Sequence, residues 1–217
     1  IRTTADRDGD GYVLNGNKIW ITNADIAHYF TVMATVDRKL GPKGLTAFFI
    51  ERDAPGLTVG REEPKMGLHG TQVREVVFED CRVPSNAMLG EVGRGFRLAM
   101  KVLDHGRLSI AASAVGAAQR LVEAMVEHAT TRVQFKRPIA DNQAIQWAVA
   151  DSETEVAAAR GLVYHAAWKK DDGQSATKEC SMAKLYATEM ASRVADRAVQ
   201  LFGGMGYMTG NIAERYF

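Results

Sequence analysis

The sequence predicts an α+β fold, a small β-barrel or sandwich followed by an antiparallel helical bundle. Three observations carry that prediction. Up to about Pro84 the apolar residues fall in short β-branched and aromatic runs separated by turn residues. After Gly93 they recur at three- and four-residue steps over long stretches. With 217 residues, the chain is long enough to bury one large core or two modest ones.

In the first half, Tyr12-Val13-Leu14 and the run Lys18 to Thr22 flank Asn15-Gly16. They read as a hairpin, because Asn-Gly supplies the two positive-φ positions that a type I′ turn requires. Further β-rich runs are Phe30 to Val36, Leu45 to Ile50 and Arg74 to Phe78, punctuated by Gly41-Pro42, Pro55-Gly56 and Gly67. Asp6, Asp8, Asp10 and Gly11 imitate the opening of a calcium-binding EF-hand loop, but its twelfth position holds Asn17 and its flanks are β-like. The string reads as an exposed turn entering a strand.

The second half reads as three long helices. Ile110, Ala114, Ala117, Leu121 and Met125 mark one packed face, and Ile145, Ala148, Ser152, Val156, Ala159 and Val163 a second. Met182, Leu185, Met190, Val194 and Ala198 mark a third, ended by Gly203-Gly204, with Pro138 and Gly173 as breakers between helices. Small residues on these faces imply closely spaced helix axes.

Composition excludes several classes. Lys and Arg number 27 against 26 Asp and Glu, so no overall field attracts nucleic acid or an anionic membrane. Cys81 and Cys180 form no CxxC pair, which points to a reducing compartment. The five histidines lack HxxxH or HExxH spacing, so no metal site is expected. No apolar run approaches the roughly 20 residues of a membrane-spanning helix, and no strand-to-helix phosphate loop is present.

Three strings admit both a structural and a functional reading. Asn15 to Asn23 is either an ordinary hairpin with a packed Trp, or it offers Trp20 and Thr22 to a flat aromatic ligand. Arg132 to Pro138 is either a basic helix cap or places Arg132 to grip a phosphate. Gln200 to Gly204 is either a helix stop or a segment whose glycines let backbone approach a ligand.

Taken in order, these strings resemble the acyl-CoA dehydrogenase family. The matches are N-G-N-K-I-W-I-T-N at 15–23, K-M-G-L-H-G-T-Q at 65–72 and V-F-E-D-C-R-V-P at 77–84. They continue with L-G-E-V-G-R-G-F at 89–96, R-V-Q-F-K-R-P-I at 132–139, Q-A-I-Q at 143–146 and Q-L-F-G-G-M-G-Y at 200–207. The resemblance implies a middle β-domain over 1–88 and a C-terminal helical domain over 89–217, with FAD where they meet and a neighbouring subunit completing the site. It assigns Trp20, Ile21 and Thr22 to the flavin ring. Arg132, Gln134 and Phe135, with Gln200, Leu201, Gly203 and Gly204 of an adjoining subunit, would hold the adenosine-pyrophosphate end. Asp104 and Arg107 match the D-x-x-R that faces an acyl-CoA substrate.

The resemblance further implies a homotetramer or mixed tetramer, an acceptor such as an electron-transfer flavoprotein, a role in fatty acid metabolism, and a bacterial cytoplasmic or eukaryotic mitochondrial-matrix location. The sequence departs from the family pattern in four ways. The family's N-terminal helical domain and the flavin loop that precedes Ile1 are not in the sequence. It stops at Phe217, where members continue, so it reads as part of a longer protein. Lys136 stands where glycine is common. Both positions that carry the family's catalytic Glu hold glycine, Gly210 in most members and Gly106 in a minority.

The implied reaction removes an α-proton from an acyl thioester while a β-hydride passes to flavin. Without a positioned base such a step slows by about 10²–10⁴. Glu214 is the nearest substitute carboxylate, His105 lies beside one station, and the N–H of Gly210 is a candidate donor to the thioester oxygen. Three readings stay open: dehydrogenation with another base, a base-less homologue with altered chemistry such as desulfination, and a non-catalytic subunit of a mixed tetramer.

Overall fold

A computed structural model describes all 217 residues, Ile1–Phe217. The chain divides into two compact units, Ile1–Lys101 and Val102–Phe217. The α+β character is as expected, with a β-sheet unit followed by a helical one.

The first unit holds β1 (Thr4–Asp8), β2 (Gly11–Thr22), β3 (Tyr29–Thr35), β4 (Leu45–Glu51), β5 (Leu57–Glu62), β6 (Val73–Pro84) and β7 (Met88–Leu89). They form one hydrogen-bonded sheet in the order β5-β6-β2-β1-β3-β4-β7, antiparallel except for β1 beside β3. Period-2 alternation sends Leu14, Val32, Phe48, Ile50, Val76 and Phe78 into one core, where the Tyr12 ring meets Phe48 edge-on at 5.2 Å. Each such large side chain stabilises the unit by about 1.5–3 kcal/mol.

The Asn15-Gly16 hairpin does not form. β2 runs unbroken through both residues, and the turn lies earlier at Gly9-Asp10, between the paired Asp8 and Gly11. There only Gly9 has positive φ, +59°, as a II′ turn requires. Asn15 instead clamps a neighbouring strand: its Oδ1 accepts the Asp80 N–H at 2.8 Å, and its Nδ2 donates to the Asp80 carboxylate at 3.1 Å. Gly16, at φ +134°, sits where an added Cβ would lie 2.8 Å from the Thr3 Cα. The register with β6 jumps between Leu14 and Gly16, so the string is a β-bulge. Lys18 buries its stem and donates to the Met33 carbonyl at 2.7 Å; burial pushes its pKa down.

In the second unit α1 (Gly95–Thr131), which spans the division, is followed by the short hairpin of β8 (Val133–Gln134) and β9 (Arg137–Pro138). Then come α2 (Gln143–Asp171), α3 (Thr177–Phe202) and the single turn α4 (Ile212–Tyr216). Side-chain pairs fix the directions. Lys169 bonds Glu179 near the α2–α3 loop at 2.6 Å, while Glu155 takes Arg193 and Arg197 farther from it, so these helices are antiparallel. Burial alone would push the Glu155 carboxyl up; the two arginine hydrogen bonds outweigh that and hold it below its usual range. Thr177 donates to Asp104 at 2.6 Å and the His128 ring stacks on Phe202, so α1 runs with α3. Arg160 reaches Gln119 at 2.6 Å, and Lys170 contacts His105, so α2 opposes α1.

Of the face expected for α2, Ser152, Val156, Ala159 and Val163 are buried and Ile145 and Ala148 partly so, with Ala166 extending it. The other two are rotated in part. Leu121 and Met125 are buried, but Ile110 is 53% exposed, and Ala111, Val115, Ala118 and Val122 fill the α1 seam. On α3, Met182 and Leu185 lie outside, while Cys180, Ala183, Ala187, Met190, Val194 and Ala198 are buried. Alanine lets the axes approach, and larger side chains have no room between them. No helix is long and apolar enough to cross a membrane.

Candidate functional site

Where α1 ends, the chain turns through β8 and β9 and lies beside the end of α3. These segments enclose a cavity of about 600 Å³, within the range of about 300–1,000 Å³ usual for small-molecule sites. Its walls include Arg132, Gln134, Gln200, Leu201, Gly203 and Gly204, six of the seven residues expected at a phosphate-bearing ligand. All six come from a single chain, so no second copy is needed to bring Arg132 to Gln200. Phe135 is not among them; at the hairpin tip it is 96% exposed. His128, Asn142, Ile145, Phe202 and Met205 complete much of the wall and were not foreseen. His128 was within reach, because it stands one helical turn before Arg132 and so shares its face.

Four of the polar side chains here are uncommitted. The side chains of His128, Arg132, Gln134 and Gln200 make no hydrogen bond or ion pair within the chain, although Arg132's backbone N–H donates to His128 at 2.8 Å. Arg132 is the one charged wall residue apart from the titratable His128, and no carboxylate balances it. Gly203 (φ +61°) caps α3, so the glycine pair is a helix stop and a cavity wall at once. A Cβ on Gly203 or Gly204 would meet nothing within 4 Å, which leaves the backbone open to a ligand. A planar guanidinium with free donors, two amides and bare backbone suit a phosphate or diphosphate group.

The hairpin explains Lys136. Phe135 (φ +50°) and Lys136 (φ +68°) are the two central residues between paired Gln134 and Arg137, the geometry of a I′ turn. Side-chain-bearing residues in this region cost about 1–2 kcal/mol each. Lys136→Gly is therefore expected to raise stability by about 1 kcal/mol, read as a rise of ~2–4 °C in Tm by calorimetry.

Trp20 lies in a second β2 bulge, where the register with β6 shifts between Lys18 and Ile21. Its φ is +59° and it is 73% exposed, an unusual position for a large aromatic residue. Ile21 and Thr22 pair with Arg74 and Val73, and Arg52 steadies the following loop by donating to Ala24 and Ala27 carbonyls at 2.7 and 3.3 Å. An exposed aromatic residue on a bulge of a rigid sheet can meet a flat ligand.

Asp104 and Arg107 pair at 2.6 Å, and Asp104 also accepts from Thr177. Gly106 lies inside α1 with open space around it. Gly210 has φ +95°, and its N–H is taken: it donates to the Glu214 carboxylate at 3.1 Å. Asn211 caps α4 by accepting the Ala213 N–H at 2.8 Å, and Glu214 reaches back to the amide just ahead of that cap.

The chain thus joins a sheet unit to a helical unit that carries an arginine-lined cavity with free donors suited to a phosphate group. Comparison with known proteins makes this specific. The acyl-CoA dehydrogenase middle-domain model matches residues 1–81, and the acyl-CoA dehydrogenase C-terminal-domain model matches residues 93–217. The human short-chain specific acyl-CoA dehydrogenase, mitochondrial, is 44% identical over 99% of this chain and 52% of its own length. The structure of butyryl-CoA dehydrogenase from Megasphaera elsdenii superposes with TM-score 0.96 at 44% identity, covering 99% of this chain and 56% of that one. A chain in a structure described as the electron transferring flavoprotein of Acidaminococcus fermentans gives TM-score 0.96 at 45% identity, over 99% and 57%. The chain belongs to the acyl-CoA dehydrogenase family. It spans about half the length of the curated relatives it matches.

Proposed function

We propose that the full protein is an FAD-dependent oxidoreductase acting on a CoA thioester, with the Arg132 cavity holding the adenosine-pyrophosphate end of the cofactor. The observation that carries this reading is the cavity itself, nucleotide-sized and lined by an arginine and two amides with no partner in the chain. Arg132 would bind phosphate through paired N–H donors, with Gln134 and Gln200 bonding the remaining oxygens and the Gly203–Gly204 backbone lying close. Trp20, Ile21 and Thr22 would receive the ring system. The bound flavin supplies a two-electron acceptor for the β-hydride of an acyl group. Asp104 and Arg107 would face the substrate, already held in position by each other and by Thr177.

A second reading has its own support. Neither glycine at the expected base positions can take the α-proton, and Glu214 is engaged with the Gly210 N–H. A homologue whose CoA-thioester chemistry needs no α-proton abstraction, such as desulfination, fits that arrangement, as does a non-catalytic subunit of a mixed tetramer. The names of the relatives support a short-chain substrate and an electron-transfer flavoprotein as acceptor for this protein. Anaerobic mixing of the full-length flavoprotein with butyryl-CoA separates the readings. Slow bleaching of the flavin supports dehydrogenation with a substitute base, and an unchanged spectrum favours the base-less or subunit reading. A full-length protein that takes up no FAD sinks the cofactor assignment.

A further inference from the structure

We propose that His128 is a second anion-binding group of the Arg132 cavity, taking a proton from solvent and donating a hydrogen bond to phosphate when a diphosphate-bearing ligand enters. The proposal rests on reading the cavity as a phosphate site.

Geometry puts the ring in place. His128 and Arg132 lie one turn apart at the end of α1 and both face the cavity. The imidazole is stacked on Phe202, with ring centroids 4.5 Å apart and planes 24° from parallel, so its orientation is fixed while neither nitrogen has a partner in the chain. An aromatic face under the ring also favours its charged form. The surroundings set the charge balance. From the end of α1 the facing charge is Arg132, and the hairpin, the turn before α2 and the end of α3 present Gln134, Asn142 and Gln200. Beyond the wall, Arg137 bonds Asn142 and Asp141 lies in the same turn.

Without ligand, burial and then the Arg132 charge push the imidazole below its ordinary value. An incoming diphosphate carries more negative charge than one guanidinium offsets. It reverses the local field and raises the imidazole's proton affinity. Binding therefore takes up a proton. Affinity is highest at low pH and falls as pH rises through the value His128 has in the complex; each unit of difference between free and bound states is worth up to about tenfold.

ADP-ribose is a suitable probe, because both of its phosphates are diesters and do not titrate in this range. Calorimetry of the full-length protein freed of flavin, from about pH 5.5 to 8.5, gives both affinity and proton uptake when repeated in buffers of different ionisation enthalpy. The wild type is expected to lose about tenfold in affinity across that range, with net proton uptake that peaks between the free and bound values of His128 and fades at both ends. His128→Phe, which keeps the stack, should bind with a flat profile matching the wild type at high pH, and His128→Gln gives the same comparison if His128→Phe does not fold. Wild-type binding that is lost in Arg132→Gln but flat in pH overturns the role of His128 and leaves the cavity reading intact. Persistence of the pH dependence in both His128 variants also overturns it. Binding that is unchanged in Arg132→Gln overturns the cavity reading itself.

Discussion

Gly106→Glu in the full-length protein is expected to speed flavin reduction by a short-chain acyl-CoA about 10²–10⁴-fold, the usual contribution of a positioned base. The position lies inside α1, and a Cβ there meets nothing within 4 Å. Removing glycine from a helix interior also favours folding by about 0.5–1 kcal/mol. Activity and Tm should therefore rise together. Gly210→Glu behaves differently, although space around it is equally open. At φ +95° any side chain costs at least ~1–2 kcal/mol, and relaxing the backbone would disturb the N–H bond to Glu214. That variant should lose several degrees of Tm and recover less of the rate. Stopped-flow absorbance and scanning calorimetry on the two proteins decide the matter. A Gly210→Glu protein as stable as its parent and faster than Gly106→Glu would contradict the view that the Gly210 backbone resists a side chain.

The second large effect is on cofactor retention. Arg132→Gln removes the cavity's only fixed positive charge while keeping a polar side chain. Hydrogen bonds to charged groups are worth about 1.5–3 kcal/mol, so FAD affinity should fall about 10–100-fold, with a shallower salt dependence than in the parent. Equilibrium dialysis at two ionic strengths measures both. The glycines, the amides and Phe202 remain in the variant, so residual binding is expected. An unchanged affinity would mean that the phosphates lie elsewhere.

The sequence disclosed the classes of element more readily than their placement. The switch from short β-rich runs to three- and four-residue periodicity located both modules, and it is local information. Asn15-Gly16 is a turn-forming dipeptide whose outcome depends on its cross-strand neighbours. Asp80 and Thr3, distant in sequence, turn it into a bulge. Conversely, a real I′ turn sits at Phe135-Lys136, which carries no turn signature at all. The α1 and α3 faces depart from expectation only at Ile110, Met182 and Leu185, because size is a weaker guide to a close seam than smallness. Ile110, Met182 and Leu185 are the larger side chains, yet alanines occupy the narrow seams. In the cavity, the strings around Arg132 and Gln200 were legible as candidates, but that they meet in one chain was not. His128 and Asn142 entered only once the helix ends were brought together.

The pairing of β2 with β6 has a consequence for how the protein is made. β2 needs a strand from the far end of its unit, so during synthesis the stretch from Asn23 to Gln72 must emerge before that ladder can close. At ~5–20 residues per second the nascent chain carries an unpaired strand edge for several seconds. β5 is in the same position, because its only sheet neighbour is also β6. Translation stalled ahead of Val73 would thus leave two sticky edges outside the ribosome, and the cell's holding chaperones are the natural guard for that interval.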